Sequence, residues 1–428
     1  MSESQGGDAL SLFNEGVRLQ QHGDLEQARR LYRFALKIDP NFEPAQTNLR
    51  FLSAGTLTLT RPRFYEVVQR LAQPVPPQAT ALFEPPHAGS GEIEISGRFG
   101  DYREAVLEVQ VNRVGRRAGA VAKFDAIRLT LVDGAFTTRL SLPAGGWYVL
   151  ALAITAPDGT RAESRAGPVG VGEVYVIAGQ SFAASTSDAL LTIDDEEGRV
   201  VAFHPNARFW RVAHDPQPGA NRDAADEAGF WKDKAEWAAQ YGITGAGGSP
   251  WPAAMNLLLG AIDMPIGMIN VAESGTPLAA WRPGQPLYER LLRAARDAGR
   301  FRAILWAQGE SDVMNGNRPD SYVAGFRELR DSLAANLGWR PDWLVAKSTH
   351  HPLVYDKPEE ERAMRAALDA LWREPGIFPG PDTDLLRGAG NRSSWQLGVH
   401  FTKSGQIAAG ALWFSALLGH LQACGTEA

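Results

Sequence analysis

The sequence places a small polar residue directly after a buried apolar run, where it could act on a bound molecule. The run from Val174 to Ala178 ends at Gly179-Gln180-Ser181, a pattern typical of a buried parallel strand followed by a turn. In open α/β sheets, ligands bind at the carboxyl ends of the strands. Ser181 is therefore a candidate nucleophile, although a serine in an ordinary strand-to-helix turn gives the same local pattern.

A serine nucleophile needs a base, and the chain offers further polar residues at predicted strand ends and a late histidine. AESGT (residues 272–276) and QGESD (residues 308–312) each follow an apolar run, and His400 precedes the last predicted helix. This order fits a serine hydrolase on a doubly wound sheet, but catalytic order varies between folds. The G-x-S-x-G motif is absent, because Ala183 stands two residues after Ser181.

From Gly172 onward, predicted strands and helices alternate, which is the pattern of an α/β domain with a parallel sheet. The predicted strands are Glu173–Ala178, Ile266–Val271, Ala303–Ala307 and Trp343–Lys347. The predicted helices are Pro252–Ala261, Leu287–Ala298, Ser321–Leu337, Glu359–Trp372 and Ser404–Leu421. Residues 205–250 are rich in Gly, Pro, Asn and Trp, and we expect long loops over the active edge there.

Residues 1–55 are predicted to be helical and resemble a tetratricopeptide repeat. Gly16 and Ala28 are small enough for two antiparallel helices to approach closely, and Pro40 ends the second helix. A helix near Glu43–Leu52 extends the repeat, although such repeats need about three units to bury their faces. We expect this segment to pack on the rest of the chain, on a second copy or on a protein partner. A helical hairpin that merely packs is the alternative.

Two segments of different character follow. Residues 56–90 contain many prolines and are predicted to be a linker with one short helix around Tyr65–Leu71. Residues 91–170 alternate apolar and polar side chains between turn sequences, which predicts a small antiparallel β-sandwich. We expect this module to be a spacer, and a sugar-binding surface is the alternative.

Composition argues against several classes of protein. The 428 residues suffice for two or three domains, and the net charge of −6 with dispersed basic residues predicts no nucleic-acid partner. The single cysteine, Cys424, excludes an internal disulfide framework and predicts no cysteine-based zinc site. We find no signal-peptide pattern and no apolar stretch of about 20 residues, so we expect a cytoplasmic protein with no membrane partner.

The chain from Gly172 to about Leu421 resembles the SGNH/GDSL hydrolase superfamily, and within it the sialate O-acetylesterase-like carbohydrate esterases. Four sequence blocks carry the resemblance, in the order GEVYVIAGQS, AESGTPLAAW, ILWAQGESD and GVHFTKSGQIAAGALW. The resemblance implies a three-layer αβα, flavodoxin-like hydrolase domain over residues 171–428. An Ig-like β-sandwich and the N-terminal helical repeat would precede it.

The resemblance also implies roles for five residues. Ser181 would attack an acyl carbonyl, and His400 would take its proton and pass it to the leaving sugar hydroxyl. The backbone N–H groups of Ser181 and Gly275, with the side-chain amide of Gln308, would hold the oxyanion. Glu310 would orient the site or contact the substrate. The implied reaction is hydrolysis of an O-acetyl ester on a carbohydrate or glycan, with no cofactor and no metal.

Three positions depart from the family pattern. Ser274 replaces the first glycine of the second block, Phe182 stands where Asn usually follows the nucleophile, and Leu397 occupies the position of the usual Asp. A leucine cannot accept the hydrogen bond of the histidine, and disabling that carboxylate in a related triad costs on the order of 10⁴ in rate. The candidate replacements are Glu310, Asp382 and Asp384.

These departures leave two other functions open. The domain could be a catalytically impaired esterase-like protein that binds a glycan or acts as a scaffold, with residues 1–55 engaging a protein. Alternatively, the acyl-enzyme could pass its acyl group to another hydroxyl, which would make the chain an O-acyltransferase.

Two further sequence features bear on ligands. His350 and His351 lie near a predicted strand end, but no cysteine or carboxylate has matching spacing, so we predict no metal site there. Trp281, at the end of AESGTPLAAW, is the tryptophan that we expect to line the cleft.

Overall fold

The computed structural model describes residues 8–51, 57–71, 89–100, 102–115, 118–218, 247–352, 357–393 and 398–426. Its helices are α1 (Ala9–Gln21), α2 (Leu25–Ile38), α3 (Glu43–Phe51), α4 (Trp251–Ile262), α5 (Pro286–Ala298), α6 (Glu310–Met314), α7 (Pro319–Leu337), α8 (Pro358–Leu371) and α9 (Lys403–Thr426). Short 3₁₀ helices lie at Leu278–Trp281 and Thr383–Leu385.

The strands of the described residues form two regions. Those of the first are β1 (Leu57–Arg61), β2 (Val67–Gln69), β3 (Ser90–Phe99), β4 (Glu104–Val114), β5 (Gly119–Lys123), β6 (Ile127–Thr130), β7 (Ala135–Pro143) and β8 (Gly146–Thr155). Those of the second are β10 (Val200–His204), β11 (Phe209–Val212), β12 (Ile266–Asn270), β13 (Ala303–Ala307), β14 (Asp342–Lys347) and β15 (Ile377–Asp382). Strand β9 (Arg161–Gly179) belongs to both.

The first region contains two antiparallel layers that share a core. Strands β1, β3 and β7 form one layer, and β4 pairs with β5, β6 and β8 in the other. The apolar residues of β3 and β4 alternate with exposed ones, so Ile93 and Ile95 meet Leu107 and Val109 in one hydrophobic cluster. The alternating strands predicted for this part of the sequence are therefore present.

Strand β9 connects the two regions without a break. Its residues 161–171 pair antiparallel with β8, and residues 173–179 pair in parallel with β12 on one side and β13 on the other. The chain then continues outward from β9 in both directions, because the sheet order is β11, β10, β12, β9, β13, β14, β15. The tip of β9 is therefore a topological switch point, where ligands bind in open α/β sheets.

Helices cover both faces of the parallel sheet. Successive side chains of a strand point to opposite faces, and on β9 Val174 and Val176 pack with α5, α7 and α8. Tyr175 and Ile177 face the other way and pack with α4 and α9. The predicted α/β pattern is confirmed, and each predicted strand and helix from Glu173 onward has a counterpart in the structure. Strands β10, β11 and β15 were not predicted.

The helix predicted around Tyr65–Leu71 is wrong. Val67–Gln69 is strand β2, which pairs in parallel with residues 170–172 of β9. The Gln69 side chain also accepts a hydrogen bond from the backbone N–H of Val174 at 2.9 Å. Pairing with the neighbouring strand therefore outweighs the local preference of this short segment.

A buried ion cluster lies where β9 passes from one sheet to the other. The Glu173 carboxylate is fully buried, and it accepts hydrogen bonds from Arg70, from Gln69 at 2.9 Å and from Arg302 at 2.7 Å. Burial raises the pKa of Glu173, but the guanidiniums of Arg302 and Arg70 outweigh burial and lower it to about 2. The carboxylate is therefore ionised at neutral pH and joins three segments of the chain.

The N-terminal helices pack on the rest of the chain. The ring of Phe13 on α1 meets Phe64 edge to face, with centroids 5.0 Å apart. Gly16 allows the close approach of α1 and α2, because a Cβ there would lie 2.5 Å from the Tyr32 ring. The predicted helices are confirmed, whereas the tetratricopeptide identity and a protein partner remain predictions.

Helix α9 is long and apolar enough to cross a membrane, by length and composition alone, over residues 403–424. We did not predict such a stretch from the sequence. In the fold, Trp413 on α9 contacts Trp251 on α4, with ring centroids 5.0 Å apart, and Leu417 and Leu421 are buried in the same core. One side of α9 thus forms part of the packing of the parallel sheet.

We predict that Glu173→Gln destabilises the fold by about 3–5 kcal/mol, because it leaves the buried Arg70 and the largely buried Arg302 without a counter-charge. Glu163→Gln is the matched control, since Glu163 lies on the same strand and its side chain is 71% exposed. Denaturant midpoints and slopes of the two variants check this. An equal midpoint for both would contradict the importance of the cluster.

Candidate active site

The turn that carries Ser181 crosses the end of the neighbouring strand β13. Gln180 donates its backbone N–H to the carbonyl of Ala307 at 2.8 Å. Gly179 has φ +122°, and a Cβ there would lie 2.1 Å from the same carbonyl oxygen. Glycine is therefore required directly before this turn, because any side chain would push β9 away from β13.

Ser181 is buried, with 4% of its surface exposed. Its carbonyl accepts a hydrogen bond from Thr186 Oγ1 at 2.7 Å, and Ala183 and Ala184 donate their N–H groups to Gln180. Within the described chain, neither the hydroxyl nor the backbone N–H of Ser181 makes a hydrogen bond. Both groups are thus available to a bound molecule.

The Gln180 side chain, which the sequence analysis did not single out, ties the tip of β9 to the QGESD segment. Its Oε1 accepts hydrogen bonds from the backbone N–H of Ser311 at 3.1 Å and from Gln308 Nε2 at 3.2 Å. The two strand tips are adjacent because β9 and β13 pair, but only the fold brings residues 128 positions apart into contact.

Gln308 connects three strand tips rather than facing solvent. It is fully buried, and its amide nitrogen also donates to Asp312 and to the carbonyl of Thr276 at 3.2 Å. Asp312 in turn accepts the backbone N–H of Leu278 at 2.8 Å. Both amide hydrogens of Gln308 are therefore engaged, so its predicted contact with an oxyanion requires one of these hydrogen bonds to be released.

Gly275 lies in a turn after β12, the strand on the other side of β9. Its φ is +73°, and no atom lies within 4 Å of the position that a Cβ would take. Its backbone N–H makes no hydrogen bond to any other residue that the structure describes. The N–H groups of Ser181 and Gly275 are thus two unused donors at adjacent strand tips.

Trp281 does not line a cleft, and that prediction is wrong. Its side chain is fully buried, and its ring meets Trp306 edge to face with centroids 5.4 Å apart. Its Nε1 donates to Thr276 Oγ1 at 3.0 Å. Trp281 therefore supports the turn of Gly275 from inside the core.

His400 lies beside the residue that follows Ser181. Its ring meets Phe182 edge to face, with centroids 5.9 Å apart, and 7% of the residue is exposed. Its carbonyl accepts the N–H of Ser393 at 2.8 Å, and the carbonyl of Phe401 accepts the N–H of Asp188 at 3.1 Å. The structure thus brings the predicted nucleophile and base into one neighbourhood.

Arg392, which we did not predict from the sequence, places a positive charge against the rings of Phe182 and Phe401. Its guanidinium lies 4.8 Å from the Phe182 ring centre and 4.4 Å from that of Phe401. It donates to the carbonyls of Val399 and Thr383, both at 2.8 Å. Phe182, which replaces the usual Asn, therefore packs between His400 and a cation.

None of the three carboxylates considered as replacements for the family Asp bonds to His400. Asp382 and Asp384 both accept hydrogen bonds from Arg365. Asp384 also accepts the N–H of His350 at 2.9 Å. Glu310 accepts a hydrogen bond from Ser348, at the end of β14. Leu397 itself lies outside the described residues.

Burial shifts the pKa values of Glu310 and His350 in opposite directions. Burial raises the pKa of Glu310 well above its ordinary value, and the hydrogen bond from Ser348 only partly opposes this. Burial, together with the charges of Arg392 and Arg387, lowers the pKa of His350 to about 4. The imidazole of His350 is thus neutral at neutral pH, whereas at Glu310 burial disfavours the charged form.

Comparison with known proteins identifies the family. Residues 171–417, more than half of the chain, match the model of a carbohydrate esterase family described as sialic acid-specific acetylesterase. The chain belongs to this family. The match covers the parallel sheet, the strand tips that hold Ser181, Gly275 and Gln308, and the segment before α9 that holds His400.

Two individual proteins extend the comparison. The chain is 34% identical over 76 residues to a probable carbohydrate esterase from Arabidopsis thaliana, a match that spans 17% of this chain and only 29% of that protein. It is also similar to the crystal structure of a carbohydrate acetylesterase from Xanthomonas citri, with a TM-score of 0.50 and 16% identity over 84% of this chain and 74% of that one. The second likeness concerns the fold.

We predict that Glu310→Gln removes part of the pH dependence of stability. Above the ordinary glutamate pKa of 4.5 the unfolded chain loses this proton while the folded chain keeps it. The free energy of unfolding therefore falls with rising pH, by about 1.4 kcal/mol per pH unit, up to the raised folded pKa. Denaturant titrations across this range should show a shallower fall in the variant.

The matched control for this prediction is Glu359→Gln, because the Glu359 side chain on α8 is 81% exposed. It should keep the wild-type slope. A slope in Glu310→Gln as steep as in the wild type would show that Glu310 is ionised in the folded chain.

Proposed function

We propose that the chain is a carbohydrate O-acetylesterase of the three-layer SGNH type, with Ser181 as nucleophile and His400 as general base. The observation that carries the proposal is the contact of His400 with Phe182, directly beside Ser181 at the tip of β9. Membership of an acetylesterase family supports an O-acetylated carbohydrate as the substrate.

In the proposed reaction, Ser181 Oγ attacks the acetyl carbonyl carbon while His400 takes the hydroxyl proton. The tetrahedral intermediate collapses, and the bond between the acetyl carbon and the sugar oxygen breaks. His400 returns the proton to the sugar oxygen. Water then attacks the acetyl-enzyme, His400 accepts a proton from that water, and acetate leaves as Ser181 regains its proton.

Two unused backbone donors support the proposed oxyanion site. The N–H groups of Ser181 and Gly275 make no hydrogen bond within the described residues, and each such donor is worth about 10²–10³ in rate when it contacts a developing oxyanion. Gln308 holds the two tips together through Gln180 and Thr276. We therefore assign Gln308 a positioning role first and an oxyanion contact second.

Glu310 is proposed to orient the site rather than to exchange protons. It is fully buried, burial raises its pKa, and it accepts a hydrogen bond from Ser348 at the end of β14. Because it is bonded to Ser348 and not to His400, it does not take the place of the usual Asp. Since Ser181 Oγ has no hydrogen bond within the described chain, its bond to His400 forms when substrate binds, which is common in free enzymes.

We predict that Ser181→Ala and His400→Ala each lower kcat/KM on the order of 10³-fold or more. The measurement is release of acetate from p-nitrophenyl acetate and from an O-acetylated sialic acid. Ser415→Ala on the exposed side of α9 and His22→Ala after α1 are controls that should keep wild-type rates.

The products separate this proposal from its alternatives. Wild-type turnover no higher than that of Ser181→Ala would contradict the esterase, and retained glycan binding in that case would favour the impaired, binding form. An acetylated acceptor in place of free acetate would identify an acyltransferase.

A further inference from the structure

A second cluster of reactive side chains lies at the amino-terminal end of the parallel strands, whereas Ser181 lies at their carboxyl end. Asp342 is the first residue of β14, and His420 and Cys424 lie one turn apart on the same face of α9. His420 Nε2 is 2.9 Å from Asp342 Oδ2 and 3.4 Å from Cys424 Sγ, and Sγ is 3.9 Å from Oδ2. Three different ligand atoms thus converge on one point.

We propose that Asp342, His420 and Cys424 bind one Zn²⁺, which departs from the expectation that a single cysteine gives no cysteine-based zinc site. Ligand atoms at ordinary zinc distances in a tetrahedron are about 3.4–3.6 Å apart, and each of the three observed separations lies within about 0.5 Å of this range. A set of one thiolate, one imidazole and one carboxylate suits Zn²⁺. Thiolate and carboxylate together neutralise the charge of the ion.

The exposure of the three side chains leaves room for a fourth ligand. The His420 side chain is fully buried, whereas the Asp342 side chain is 32% exposed and Cys424 is partly exposed. The Phe378 ring meets the His420 ring edge to face, with centroids 4.5 Å apart, and holds its orientation. Zn²⁺ can therefore enter from solvent and keep a water molecule as its fourth ligand.

The surroundings provide a hydrogen-bond partner for such a water molecule. Tyr175 is fully buried, and its hydroxyl has no partner in the described part of the chain. Tyr175 on β9 and Asp342 on β14 lie level in the sheet, because both pair with Ala303 on β13, and Tyr175 faces the side that α9 covers. Arg302 is the neighbouring cation, and its charge is offset by the ion pair with Glu173 at 2.7 Å.

The proposed ion is too far from Ser181 to take part in the ester reaction. The six residues of β14 span about 20 Å at 3.3 Å per residue, and the catalytic strand tips lie at the other end of the sheet. Helix α9 begins at Lys403, three residues after His400. Zn²⁺ would therefore attach the far end of this helix to the sheet.

The experiment uses the full chain and the fact that Cys424 is its only cysteine, so any thiol reagent reports on this residue alone. Zn²⁺ must displace protons, and the titration is run in mildly alkaline buffer. We expect one Zn²⁺ per chain. We also expect Zn²⁺ to slow alkylation of the thiol at least about tenfold, because the bound ion occupies the Cys424 thiolate.

The variants Cys424→Ser and Asp342→Asn should each bind Zn²⁺ at least about tenfold more weakly, and Zn²⁺ should no longer raise their melting temperature. Asp320→Asn is the matched control, since the Asp320 side chain is 94% exposed, and it should bind as the wild type does. Co²⁺ should give a thiolate charge-transfer band in the wild type that is lost in Cys424→Ser.

Two results would overturn the proposal. Equal Zn²⁺ affinity in the wild type and both ligand variants would place the ion elsewhere. Thiol alkylation that Zn²⁺ does not slow would identify Cys424 as a free reactive thiol instead.

Discussion

The structure depends on one strand that serves two sheets, and that strand depends on a buried charge. Strand β9 leaves the antiparallel layers and enters the parallel sheet at Glu173, where Arg70 and Arg302 hold the carboxylate. A one-residue slip of a strand reverses the direction of every side chain. By fixing Glu173, the two arginines fix the register of β9 and hence the position of Ser181, eight residues further on.

Much of the parallel sheet could be predicted because its strands are continuous apolar runs. The structure ends β13 at Ala307 as predicted, and β12 one residue earlier than predicted. Strand β15 was missed because its sequence, IFPGPD, has two prolines and a glycine, which usually indicate a turn. Proline is tolerated there because β15 is an edge strand.

The boundary between the antiparallel layers and the parallel sheet could not be predicted correctly from the sequence. The alternation of apolar and polar residues ends near Gly170 and a continuous apolar run begins, so the sequence suggested two units joined end to end. In the structure the same strand continues through this point. The pattern changes because β9 has one buried face in the antiparallel layer and two buried faces in the parallel sheet. It does not mark the end of a strand.

The proposed reacting side chains of the site could be predicted, but the residues that hold them in position could not. Ser181 and His400 are chemically distinctive residues at the ends of predicted elements. Gln180 and Arg392 act through contacts between distant segments: Gln180 bonds to a residue 128 positions away, and Arg392 lies under Phe182. Ordinary residue types in such roles carry no local pattern.

These residues also define the electrostatics of the proposed reaction. The carboxylates of Asp382 and Asp384 are bound to Arg365, and Glu310 accepts a hydrogen bond from Ser348, so none of the three is bonded to His400. Arg392 instead places a positive charge against Phe182, the ring that His400 contacts. The guanidinium is held there by the carbonyls of Val399 and Thr383, and it also lies 4.4 Å from the centre of the Phe401 ring. Within the described residues, the ring of His400 is therefore oriented by packing against Phe182 and not by any of these three carboxylates.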